Sequence, residues 1–189
     1  MKHAMSETQV KRLCKTVLHV AIESLAHTPY LPLAVEVEQS QGRLVLQIFV
    51  EKQGVRITLD ECAEASLLLE APLADLAELQ AHSYVLEVSS PGLFRHLKTF
   101  RELDFYTGKT VTVKPLDVPE SKATAHLFPP KQLGPVQVQN ADILVCLKSE
   151  TGTEEQFLLS SLPQGQGICL APPIQWPNDE EDDLPLDAE

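Results

Sequence analysis

The sequence predicts an α+β chain: an N-terminal domain with two helices on a three-stranded sheet, then a small β-barrel and a disordered acidic tail. Three observations carry this. Two segments place apolar residues at helical spacing, each behind a capping signature. Three further runs alternate apolar and polar residues with the period of a half-buried strand. From Gly108 onward the texture changes to short β-like runs separated by Pro and Gly, the pattern of a small barrel.

The first helix begins at Ser6, whose hydroxyl and the Gln9 side chain can satisfy free N–H groups at a helix start. Val10, Leu13, Cys14, Val17, Ala21 and Leu25 follow on one face, and Pro29 ends the pattern. Leu33, Val35 and Val37 then alternate in one run, and Leu44, Leu46, Ile48 and Val50 in the next. Ser40-Gln41-Gly42 lies between them, so the pair reads as a β-hairpin with one buried face. Thr58 and Glu61 form a second capping signature. The helix behind it presents Leu59, Cys62, Ala63, Ser66, Leu67 and Leu69 and is expected to stop near Ala71-Pro72. Leu73 to Gln80 has room for a further helical turn. Tyr84, Leu86 and Val88 make a third strand. Helices on one face of such a sheet bury its apolar side.

The domain boundaries are expected at residues 1–106, 107–176 and 177–189. In the second domain the β-like runs are Val111–Lys114, Val136–Gln139, Ile143–Lys148, Gln156–Leu162 and Gly167–Leu170. Pro115, Pro119, Pro129, Pro130 and Pro135 crowd its first half.

The formal charge is −12, and residues 177–189 contribute −7 of it, with no Lys or Arg. The remaining body is acidic as well. Such a chain repels phosphate backbones and attracts basic proteins, and aromatics at 5% are sparse for stacking on splayed bases. The four cysteines form no CxxC pair, so a zinc knuckle or dithiol motif is not expected. The first residues lack a cationic segment followed by an apolar run, and no long apolar stretch follows. A cytoplasmic chain with no membrane partner is expected.

Tyr84-Val85-Leu86-Glu87-Val88-Ser89-Ser90-Pro91-Gly92-Leu93 is the most informative segment. It reads as a strand running into a tight turn. Pro91 presets φ at the second turn position, and Gly92 tolerates positive φ at the third. Arg95, Lys98, Arg101, Lys109 and Lys114 follow against Glu102 and Asp104, a basic island of local charge +3.

This segment resembles the central signature of the RimP family of ribosome maturation factors, LEVSSPG followed closely by Arg. Upstream, Ile57-Thr58-Leu59-Asp60-Glu61-Cys62-Ala63-Glu64 is similar to the family's T-L-D-D-C-A pattern. Downstream, Gly108-Lys109-Thr110-Val111-Thr112-Val113 resembles the G-x-x-V-x-V opening of its C-terminal domain. Members carry Asp-Arg-Pro-Leu after the turn; here Phe94-Arg95-His96-Leu97 stands there, keeping the Arg and replacing the carboxylate and the proline. The F-x-G-x-L of the second barrel strand has no counterpart in the proline-broken residues 120–140.

The resemblance implies an SH3-like or Sm-like barrel for the second domain and a non-catalytic assembly factor that binds the maturing small (30S) ribosomal subunit late in its maturation. A basic ribosomal protein is then the expected main partner and rRNA a secondary one. The alternative is a diverged interaction adaptor with a non-ribosomal protein partner. Ser89, Ser90, Pro91, Gly92 and Arg95 are the candidate partner-binding or domain-interface residues. Lys98, Arg101 and Lys109 are the candidate rRNA contacts.

Catalysis finds little support. Ser90 lacks the G-x-S-x-G elbow, the six histidines show no HExxH spacing, and Asp60 and Glu61 suit a helix start for dipole reasons alone. No cofactor, metal or small-molecule substrate is expected.

Overall fold

A computed structural model of the chain describes residues 5–40, 42–92, 95–116 and 128–171. These form two units, divided between Pro91 and Gly92. Trp176 and the acidic residues 177–189 lie outside the described residues, as do residues 117–127 of the proline-rich segment.

In the first unit, α1 spans Glu7–Ser24, β1 Tyr30–Ser40, β2 Arg43–Lys52, α2 Leu59–Ala74, α3 Ala77–Gln80 and β3 Tyr84–Ser89. Both expected capping boxes form. The Ser6 N–H donates to Gln9 Oε1 over 2.8 Å and the Gln9 N–H to Ser6 Oγ over 3.3 Å. Thr58 and Glu61 repeat the exchange at 2.9 and 3.3 Å. Strands β1 and β2 pair antiparallel down to Ser40 and Arg43, and Gly42 takes the left-handed φ of +78° that the turn demands. Strand β3 runs parallel to β2, from Leu44 opposite Tyr84 to Phe49 opposite Ser89. A parallel neighbour needs a crossover, which α2 and α3 supply. The sheet order is β1-β2-β3.

The core lies on one face of this sheet. Leu13, Val17 and Ala21 of α1 and Leu69 and Leu73 of α2 pack with Leu44, Leu46, Ile48 and Val50, and Tyr84, Leu86 and Val88 pack against that cluster. None of the helices among the described residues is long and apolar enough to cross a membrane.

Three local expectations change. Leu33 does not share a simple alternation with Val35 and Val37, because the register shifts between Pro32 and Ala34 and Leu33 sits at that bulge. The buried row of α2 is Cys62, Ala65, Leu69 and Leu73, while Leu59, Ala63 and Leu67 face solvent. The helix also runs past Ala71-Pro72 to Ala74. Pro72 costs the helix roughly 3 kcal/mol through its missing N–H and its ring. Burying Leu73 completely on the next position returns about 1.5–3 kcal/mol, and the Asp75 N–H still reaches Ala71 O.

The second unit is β-rich: β4 His96–Leu97, α4 Phe100–Phe105, β5 Thr110–Pro115, β6 Lys131–Leu133, β7 Gln137–Gln139, β8 Asp142–Lys148, β9 Glu154–Leu158, a 3-10 turn Leu159–Ser161, and β10 Gln166–Leu170. Strand β4 and helix α4 precede the boundary expected after residue 106 and belong to this unit. The strands make one curled antiparallel sheet in the order β4-β10-β5-β6-β8-β7, with β9 on the other side of β8.

Strands β6 and β7 lie end to end on the same edge of β8: β6 faces Leu147 and Lys148, β7 faces Asp142 to Leu144. They act as one strand interrupted at Gly134-Pro135-Val136. Pro135 has no N–H for the ladder. The Gly134 N–H still donates to Cys146 O over 2.8 Å at the break. A Cβ on Gly167 would collide with the His96 ring, so glycine there lets β4 lie against β10. Leu97, Leu103, Tyr106, Val111, Val145 and Ile168 are buried in this unit, and Phe105 meets Tyr106 edge to face at 4.9 Å.

Candidate functional site

The two most distinctive segments of the first unit meet. Strand β3 delivers Ser89 and Ser90 to the start of α2, where the Ser90 backbone lies beside the sulfur of Cys62. Cys62 is buried, and that burial pushes its thiol up from the ordinary range, with Glu51 and Glu61 nearby adding to the effect. Ser89 is exposed, Ser90 and Pro91 half-buried, and Gly92 takes φ +77°, the conformation its turn position was expected to need. Leu93 and Phe94 lie outside the described residues.

The start of α2 is closed by charge. Lys52 Nζ donates to Glu61 Oε1 over 2.5 Å, and that contact, with the Thr58 N–H, holds the Glu61 carboxyl below its usual range. The Tyr30 hydroxyl donates to Glu64 Oε2 over 2.5 Å. This hydrogen bond, reinforced by burial, raises the phenol to about 12. Glu61, flagged by its position at a helix start, thus binds an ammonium and a backbone N–H, and Glu64 binds the phenol.

In the second unit, Arg95 is a buried half of an ion pair. Its Nε donates to Glu102 Oε1 over 2.7 Å, with side-chain exposures of 8% and 0%. The other oxygen, Glu102 Oε2, accepts from the Lys98 N–H at 3.1 Å, the Thr99 N–H at 3.0 Å and the Thr99 hydroxyl at 2.9 Å. The Glu102 N–H returns to Thr99 Oγ1. One carboxylate therefore caps α4 and neutralises Arg95. The Arg95 carbonyl also accepts from the Leu170 N–H, tying β4 to β10.

The basic island is partly spent on structure. Lys114 is buried in β5, and Arg101 is partly buried, its guanidinium pushed down by desolvation. Lys98 is exposed and Lys109 half-buried. The Lys109 backbone bridges α4 and β6, donating to Tyr106 O and accepting from the Leu133 N–H. Glu102, Tyr30 and the Cys62–Ser90 contact were not singled out from the sequence. Thr99-x-x-Glu102 is a capping box that could have been found there. Among the described residues, no group of His, Cys, Asp and Glu is arranged to hold a metal.

The family profile described as the RimP N-terminal domain matches residues 21–94. That span runs from the end of α1 through the hairpin and α2 to the Ser-Ser-Pro-Gly turn, and takes in both segments joined by Cys62 and Ser90. Residues 21–94 thus match the N-terminal domain of the RimP family, in agreement with the resemblance carried by the sequence motifs.

Proposed function

We propose that this protein is a non-catalytic assembly factor that binds the maturing small (30S) ribosomal subunit in the cytoplasm and acts late in its maturation. The observation that carries this reading is the meeting of the two signature segments through Cys62 and Ser90, inside the span matched by the RimP N-terminal domain. The polar groups there are committed to capping and cross-bracing. Ser89 and the Pro91-Gly92 bend form an accessible edge at the end of β3, suited to docking.

The partner is a basic ribosomal protein, with rRNA secondary. Residues 1–91 carry twelve Asp and Glu against seven Lys and Arg, which favours a cationic protein over bare phosphate. Lys98, Arg101 and Lys109 are the proposed rRNA contacts. The β-rich unit is proposed to be an SH3-like or Sm-like barrel. Pairing of β5 with β10, and the 3-10 turn leading into β10, support that architecture.

A tagged full-length chain should co-sediment with free small subunits and be absent from complete ribosomes. Equal association with both, or with neither, rejects the reading.

A further inference from the structure

Helix α2 is apolar on two sides. Its inward row is the buried one described above. A second row, at i, i+4 and i+8, holds Leu59, Ala63 and Leu67 on the opposite side, with Leu59 85% and Leu67 68% exposed. A lone exposed leucine needs no explanation. Two at the ends of one helical row spanning about 12 Å, with the half-exposed Leu68 further round the helix from Leu67, give this helix an outward apolar row of the kind that marks an interaction site.

The charges carried by the helix itself have one sign. Helix α2 contains Asp60, Glu61, Glu64 and Glu70 and no Lys, Arg or His. From Arg56 to Arg95 the chain has seven Asp and Glu and no Lys or Arg between. Helical spacing puts Asp60 and Glu70 on either side of the Leu59–Ala63–Leu67 row, and Asp75 closes its C-terminal end. Glu61 and Glu64 are engaged by Lys52 and Tyr30. Asp60, Glu70 and Asp75 are exposed. The cations of this unit stand on other elements, such as Lys11, Arg12 and Lys15 of α1.

We infer that the outward face of α2 docks a basic, amphipathic protein segment, its apolar side chains on Leu59, Leu67 and Leu68 and its Lys and Arg against Asp60, Glu70 and Asp75. This rests on the reading that the partner is a basic ribosomal protein, and adds the surface that receives it. The chain's own residues 177–189 carry seven acids and no Lys or Arg, so their charge opposes them as the occupant. A second copy would bring acids against acids.

The test uses the full-length chain, Leu59→Gln/Leu67→Gln, and Asp60→Asn/Glu70→Gln/Asp75→Asn. Each is titrated with purified free small subunits and with a synthetic amphipathic Leu/Lys peptide, after thermal unfolding confirms the fold. The first variant should weaken both interactions at least tenfold. The second should weaken them and flatten their salt dependence. Subunit binding unchanged in both variants overturns the inference and leaves the ribosomal reading standing. Peptide binding that depends on the outward row, with no subunit binding by the parent chain, removes the ribosomal reading and retains the docking face. Failure of the parent chain to bind the peptide, or a dimer that Leu59→Gln/Leu67→Gln dissociates, overturns the inference.

Discussion

Arg95 and Glu102, seven residues apart and both buried, are joined by a 2.7 Å hydrogen bond that makes one carboxylate both the counter-ion of β4 and the cap of α4. A buried charge left without its partner is far costlier than a missing pair. Glu102→Ala should therefore destabilise the full-length chain by about 3–5 kcal/mol in urea unfolding. Arg95→Met/Glu102→Leu, which removes both charges, should recover part of that loss. A Glu102→Ala variant within about 0.5 kcal/mol of the parent, the range of neutral surface changes, would show that the pair holds nothing together.

Glu61 gives the first unit an acid-sensitive bond. Its folded-state carboxyl is held below the ordinary value of 4.5, first by Lys52 and then by the Thr58 N–H. A depressed carboxylate contributes stability that is present above the unfolded value and lost as pH falls through the folded one. Stability should thus decline as pH drops below about 4.5. Glu61→Gln, which keeps a side chain able to cap, should be less stable at neutral pH and show a shallower acid decline. Thr58→Ala should cost about 0.5–2 kcal/mol at neutral pH through the lost cap. Parallel acid limbs for the parent and Glu61→Gln would assign the acid sensitivity to other groups.

How far this molecule can be read from its residues depends on how local the governing interaction is. The boxes at Ser6–Gln9 and Thr58–Glu61 are legible because donor and acceptor lie three positions apart, and both form. The hairpin and β3 are legible because alternation has one solution when one face is buried. The inward face of α2 is not, since leucines stand on both sides of that helix and only the sheet decides which row is covered. Arg95 is visible as a candidate, but its partner is hidden in α4, whose six residues are too few to show a period. Strand β6 has three residues beside Pro129 and Pro130, and its identity comes from the edge of β8 that it shares with β7. Likewise the Cys62–Ser90 contact spans 28 positions of sequence and follows only from the parallel placement of β3 beside β2.

Tyr30 offers the clearest titration. Its hydroxyl donates to Glu64, and this bond, helped by burial, raises the phenol from 10.0 to about 12. A raised phenol is the protonated form favoured by folding. The stability it contributes is whole below 10.0 and fades as pH climbs toward about 12. In an ultraviolet titration the Tyr30 phenolate should therefore appear late, near 12. Tyr30→Phe should delete that late step and leave the others in place. Glu64→Gln should bring the step down, because the amide lacks the negative charge that opposes the phenolate, while still offering an oxygen to the hydroxyl. If Tyr30→Phe removes no step near 12 from the titration of the folded chain, the bond from β1 to α2 is not held in solution.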